Sequence, residues 1–183
     1  MRTFKNTKQT YGIVSIVFHW LIALAIIGTF LLGLWMVDLD YYSQWYKVAP
    51  DTHRSIGILI CIALLIRFIW RILNISPSPE PNLKKWEIVS AHTVHYLLYI
   101  LTVIVIVTGY LISTADGRSI DVFGWFEVPA TITDIDKQAD RAGDLHYYIG
   151  IGLMATAGMH ALAALKHHFF NKDKTLLKML GKK

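Results

Sequence analysis

Leu145-His146-Tyr147-Tyr148-Ile149-Gly150-Ile151-Gly152-Leu153-Met154-Ala155-Thr156-Ala157-Gly158-Met159-His160, running on to Leu165, decides how the rest of the chain is understood. From His146 to Leu165 there is no formal charge, and apolar and small residues dominate. A helix of about 20 such residues is long enough to cross a bilayer. Two histidines stand inside it, 14 residues apart. On an α-helix that spacing puts them about 21 Å apart along the axis and within about 40° of each other in direction. One imidazole near each membrane surface, both on one side of a helix, is what two stacked metal cofactors would require.

The composition agrees with a membrane setting. Of 183 residues, 54 % are hydrophobic and only 17 % carry charge, which is unlike a soluble domain. The basic start, Met1 to Lys8, leads into an apolar run without a small-residue cleavage pattern, so this run is expected to be a permanent span rather than a removed signal. The single cysteine, Cys61, excludes an internal disulfide, covalent haem attachment through paired cysteines, and an iron–sulfur cluster built by this chain alone. The net charge of +5 is scattered around apolar spans, which points to membrane topology and not to nucleic acid.

Four spans are expected, at residues 13–37, 53–73, 89–112 and 146–165, forming one all-α, four-helix integral-membrane domain over residues 1–183. Asp38 to Thr52 is a short acidic connection rich in Tyr and Trp. Ser76-Pro77-Ser78-Pro79-Glu80-Pro81 breaks the chain between the second and third spans. The longest connection, about Ser113 to Asp144, holds a semi-apolar Val122-Phe123-Gly124-Trp125-Phe126 piece, expected to lie in the interface or to cover the mouth of a site. Thirteen Lys and Arg fall on the side of the termini and five on the other, so both termini are expected in the cytoplasm. Ten of the 13 acidic residues fall on the outer side, which is therefore net acidic.

On this topology His53 and His146 open their spans at the outer surface, while His19 and His160 lie about 9 Å in from the inner one. Haem iron in electron-transfer proteins takes two axial side chains, and two bis-histidine b-type haems in a four-helix bundle suit this arrangement. His53 and Arg67 are also 14 residues apart, which puts Arg67 at the inner level as a partner for a haem propionate; Arg54 could serve at the outer level. Gly57 and Gly150 would leave room for a flat macrocycle. His95 lies at nearly the depth of His19 and His160, and depth alone does not choose two of those three. His92 and His95 are candidates for hydrogen-bonded or interfacial roles, or for proton handling at a quinone site.

Phe18-His19-Trp20-Leu21, His53 with Gly57 and Arg67, Ala91-His92 with His95, the His146/His160 spacing and Ala164-Leu165-Lys166-His167-His168-Phe169 together resemble the prokaryotic cytochrome b(561) family over essentially the full length. Ile112-Ser113-Thr114-Ala115-Asp116-Gly117 and Val122-Phe123-Gly124-Trp125 are similar to its YceJ-like branch. The resemblance implies two haem b groups in the bacterial inner membrane, on His53 with His146 and on His19 with His160. It also implies electron exchange with membrane ubiquinone, and in one branch oxidation of superoxide. A competing expectation is an electron-relay subunit without its own substrate, docking a periplasmic redox or isoprenoid-binding partner. A histidine-lined transporter is a third, and predicts a colourless protein.

Overall fold

The computed structural model describes residues 3–182; Met1 and Arg2 of the basic start and Lys183 of the tail lie outside the described residues. Four long helices dominate: α1 (Ile13–Met36), α2 (Val48–Leu73), α3 (Lys85–Ser113) and α4 (Gln138–Lys166). Between α3 and α4 a two-stranded antiparallel hairpin pairs β1 (Ile120–Val122) with β2 (Phe126–Val128), in the register Ile120 to Val128 and Val122 to Phe126. After α4 come one π turn, His167–Asn171, and a short α5 (Thr175–Met179). All four long helices have the length and composition to cross a membrane.

α2, α3 and α4 are longer than the apolar stretches that announce them. α2 starts at Val48 and α4 at Gln138, so His53 and His146 stand within helices and not at their first turns. Helix ends are set by capping and backbone bonding, whereas apolar length reports lipid contact. Pro50 occupies the first turn of α2, where a missing N–H costs nothing, and Asp51 beside it favours the helix N-terminus. At the start of α3, the Glu87 carboxylate accepts from the Lys84 N–H at 3.0 Å, one half of a capping box. Gln138 at the start of α4 is buried, and its amide donates to the carbonyls of Leu111 and Ile132, both at 3.0 Å.

Only 11 % of the most apolar window of each span is buried. Leu24, Leu65, Ile72 and Leu162 point outward, whereas Thr29, Ser55, Thr102, Thr108 and Thr156 are buried. Large aliphatic residues outside and small hydroxyl residues inside is the pattern of helices packing in lipid, where close backbone approach replaces a hydrophobic driving force.

The chain divides into two compact units, each built from parts of all four long helices. One comprises the N-terminal segment to Ile22, Ala63–Tyr99, and the chain from Met154 onward. Asn6 ties its segments together. Its Oδ1 accepts from the Gly12 N–H (2.9 Å) and the Ser15 hydroxyl (2.8 Å), and its Nδ2 donates to the Ile75 carbonyl (2.8 Å). The Ser15 oxygen in turn accepts from the Trp70 indole at 3.1 Å, joining α1 to α2. Gly12 is required here: a Cβ would strike the Phe4 carbonyl and come within 2.7 Å of Lys5. Lys166 and Glu87 pair at 2.8 Å, linking the end of α4 to the start of α3. The Trp20 indole donates to the Met179 carbonyl at 2.9 Å, holding α5 against α1.

The second unit comprises Ala23–Ile62 and Ile100–Leu153 and contains the hairpin. Phe123 and Gly124 both have positive φ, as a tight primed turn requires. The Asp121 carboxylate accepts from the Gly124 N–H at 3.0 Å and steadies that turn. Val122 is fully buried and Ile120 nearly so. The Ser55 hydroxyl of α2 donates to the Asp121 carbonyl (3.2 Å) and accepts from the Phe123 N–H (3.3 Å), so one buried side chain fixes the hairpin two residues after His53. The semi-apolar piece is thus a docked hairpin, an addition to the all-α expectation.

Ser55→Ala leaves both hairpin groups without that partner, at a cost of about 1–3 kcal/mol. Hydrogen exchange across residues 120–128 should quicken at least about tenfold, with the helices little changed; unchanged exchange there would mean the hairpin is held by its apolar contacts alone.

Candidate functional site

In the second unit, His53 of α2 faces His146 of α4, ring centres 6.1 Å apart. Each ring lies against a glycine of another helix. A Cβ on Gly33 of α1 would come within 3.1 Å of His53 Cε1, and a Cβ on Gly109 of α3 within 3.1 Å of His146 Cε1. The reason lies in the helix backbone. The carbonyl of residue i accepts from the N–H of residue i+4, so a missing side chain at i+4 lets an imidazole reach that carbonyl from the side. His146 Nδ1 lies 2.9 Å from the Val105 carbonyl, four residues before Gly109, and 3.2 Å from the Thr108 hydroxyl. A carbonyl accepts only, so Nδ1 carries the proton and Nε2 keeps its lone pair. His53 Nδ1 is buried without a hydrogen bond of standard geometry, although the Thr29 backbone, four residues before Gly33, is close enough to interact. The two rings therefore share a glycine contact on a neighbouring helix, but only His146 has its Nδ1 bonded.

In the first unit, His160 of α4 has two imidazole neighbours: His19 of α1 with ring centres 6.3 Å apart, and His95 of α3 at 5.1 Å. Arg67 of α2 lies beside them. Its Nε donates to the Tyr99 hydroxyl at 3.2 Å, and its Nη2 lies 3.2 Å from His19 Nδ1. A guanidinium only donates, so in this contact His19 Nδ1 accepts and Nε2 holds the proton. His92 is exposed, and His167 in the π turn pairs with Asp173 at 2.7 Å.

These arrangements test what the site can hold. Two imidazoles on opposite sides of one metal ion, each nitrogen about 2 Å from it, have ring centres about 6 Å apart. The His53/His146 and His19/His160 separations fit; the His95/His160 separation is shorter. Among the described residues no three His, Cys, Asp or Glu side chains gather as a ligand set for a bare ion. Paired nitrogens suit a metal whose other positions are filled by a macrocycle, as in haem. A Cβ at Gly57 or Gly150 would meet nothing within 4 Å, so both glycines border open space.

Arg54 pairs with Asp51 one turn earlier, and its charge also reaches His53. Gly33, Gly109, Thr108 and Tyr99 are absent from the sequence-derived site. Two of them carried a signal. Gly33 follows His19 by 14 residues and Gly109 follows His95 by 14, the same interval as His53 to Arg67 and His146 to His160. Each long helix thus contributes one position to each cluster.

Comparison with known sequences bears on this chemistry. Residues 10–182 match the family described as prokaryotic cytochrome b561. The chain is 49 % identical over 180 residues to cytochrome b561 homolog 2 of Escherichia coli K12, covering 98 % of this chain and 96 % of that one. It is 30 % identical over 176 residues to the probable superoxide oxidase CybB of Yersinia pestis, covering 96 % and 98 %. With cytochrome b561 homolog 1 of Escherichia coli K12 it shares 29 % over 142 residues, covering 77 % and 80 %.

Gly109→Val adds bulk where a single Cβ is already tight, and should lower bound haem per chain by displacing His146. Gly28→Ala, where a Cβ meets nothing within 4 Å, should leave haem content unchanged. A pyridine haemochrome assay on both variants reads the difference.

Proposed function

The chain belongs to the prokaryotic cytochrome b561 family and is a multi-pass membrane b-type cytochrome, and on that premise we propose that it holds two haem b groups and relays single electrons between them and the quinone pool of the bacterial inner membrane. The observation that carries this reading is the pair of histidine couples, His53/His146 and His19/His160, with ring centres 6.1 and 6.3 Å apart. When bound, haem b supplies a reversible one-electron iron couple. The chain's own residues supply the rest. Val105 and Thr108 hold His146 in the tautomer that leaves Nε2 free. The backbone near Thr29 lies on the corresponding side of His53, whose Nδ1 has no hydrogen bond of standard geometry.

Arg67 is assigned a charge-neutralising role. For His19 to offer Nε2 to iron, its Nδ1 must carry the proton, and its present contact with Arg67 must break. An anionic propionate is the stronger partner for a guanidinium and would draw Arg67 away. Tyr99, already bonded to Arg67 Nε, would keep the guanidinium oriented through that change. Arg54 is the outer counterpart in charge only, being committed to Asp51. Both termini are assigned to the cytoplasm, on the basic-residue excess.

Superoxide:ubiquinone oxidoreduction is a second reading, favoured by the name of the Yersinia pestis relative. Charge weighs against it, since an anionic radical is gathered by positive potential. Arg54, Arg118 and Arg141 each lie against a carboxylate (Asp51, Asp116 and Asp136), and the outer segments are net acidic. The alternative of a relay subunit docking a periplasmic partner draws on the exposed outer aromatics Tyr42 and Trp125.

Purified protein should show two b-type haems per chain in reduced-minus-oxidised spectra, and His146→Ala and His160→Ala should each lose a different one. Ubiquinol should reduce the wild type directly, and superoxide should do so far more slowly. A colourless wild type, or one haem surviving both substitutions, would sink the two-haem reading. Rapid reduction by superoxide alone would promote the second reading.

A further inference from the structure

Residues 3–11, the Ser78–Pro81 turn and residues 174–182 border an open concavity of about 680 Å³ within the first unit. That size is typical of a small-ligand site. Lys8, Lys174, Lys178 and Lys182 line it together with Thr10 and Tyr11. Its one carboxylate, Glu80, is spent on Lys178 at 2.6 Å; the same ammonium donates to the Ser78 carbonyl at 3.0 Å, and both side chains are less than one-fifth exposed. This pair forms a fixed wall. Lys8, Lys174 and Lys182 form no ion pair among the described residues. Three lysines without an ion pair among the described residues thus border one concavity, together with Thr10 and Tyr11.

The walls are built, not incidental. The Ser78 N–H donates to the Lys8 carbonyl at 2.8 Å, the Ile13 N–H to the Thr3 carbonyl at 3.0 Å, and the Thr7 and Thr10 hydroxyls lie 3.0 Å apart. Lys174 precedes α5, whose last residue, Met179, receives the Trp20 indole. Three segments far apart in sequence are therefore fixed around a space that none of their side chains fills.

We propose that this cavity binds a phosphate-ester anion, and that its natural occupant is the headgroup of an anionic phospholipid. Lysine ammoniums with hydroxyl donors match phosphate oxygens as point charges plus hydrogen bonds. The lipid source follows from what comes next in the chain. Two residues after Tyr11, a second, wholly apolar depression of about 200 Å³ runs along Ile13, Val14, Val17 and Phe18 of α1. An acyl chain suits an apolar depression of this kind, which a soluble phosphate ester would leave unused. The inner membrane surface proposed for this side is also where anionic headgroups concentrate basic segments.

The test uses full-length protein as purified, reconstituted in nanodiscs of phosphatidylcholine with or without phosphatidylglycerol. Lipid retained on re-extraction is counted by native mass spectrometry. In parallel, thermal midpoints in neutral detergent are recorded with and without inorganic phosphate. Wild type is compared with Lys8→Gln/Lys174→Gln/Lys182→Gln, with the matching Arg triple variant, and with Lys47→Gln/Lys137→Gln, which removes charge from the outer segments. Wild type, the Arg triple and the outer variant should retain phosphatidylglycerol over phosphatidylcholine by about tenfold, while the Gln triple loses that preference at an unchanged haem spectrum. A phosphate-induced thermal shift that vanishes in the Gln triple, without lipid preference, would keep the cavity as an anion site and assign it to a soluble phosphate ester. Equal phosphatidylglycerol retention by wild type and the Gln triple, with no phosphate-dependent shift in either, would overturn the proposal.

Discussion

A buried imidazole that is to keep one nitrogen free for a metal must hand its other N–H to a fixed acceptor. In a helix the only fixed acceptors are backbone carbonyls, and these are screened by the side chain four residues on. Gly109 removes that screen for the Val105 carbonyl, and His146 Nδ1 takes the place at 2.9 Å. Gly33 gives His53 the same close approach to a neighbouring helix, although His53 Nδ1 makes no hydrogen bond there. The rest of the second unit depends on this approach: the glycine must lie on a neighbouring helix, at the level of the ring, with small or hydroxyl residues around it.

The first unit solves the problem differently. His19, His95 and His160 gather there with the Arg67 guanidinium, a donor where the second unit offers an acceptor. Three imidazoles with Arg67 and, beside His95, Arg71 form a cluster with no anion paired to it among the described residues. That asymmetry is the physical reason for reading Arg67 as a partner for a negatively charged group rather than for histidine. The cationic lining of the terminal cavity, fixed to the same unit through Asn6 and Gly12, is a second place where positive charge lacks its complement.

Both units sit behind an apolar exterior. Buried hydroxyl residues, with Gly33 and Gly109, line the inside of the helices, while leucines and isoleucines cover the outside. The hydroxyls do not stay unbonded in such an interior: Thr29 and Thr108 each donate back to the carbonyl four residues earlier, at 2.8 Å. Ser55 instead reaches out of its helix and holds the hairpin, which is how an irregular segment is attached without leaving its backbone groups unpaired.

The sequence by itself determined the four spans, because lipid contact demands long uncharged runs; it related His146 to His160 by their 14-residue interval and set His53 and His19 at matching depths, while the choice of His19 over His95 rested on the family resemblance. It also carried, unread, the same interval from His19 to Gly33 and from His95 to Gly109. Three things required the tertiary structure. The helix starts at Val48 and Gln138 lie in polar stretches, where capping and not apolarity sets the boundary. The docking of the hairpin through Ser55 and the commitment of Arg54 to Asp51 are choices among several nearby polar partners, which spacing does not rank. The distances of His19 and His95 from His160 are likewise decided by how whole helices pack, since residues at equal depth on different helices are equivalent until their axes are brought together.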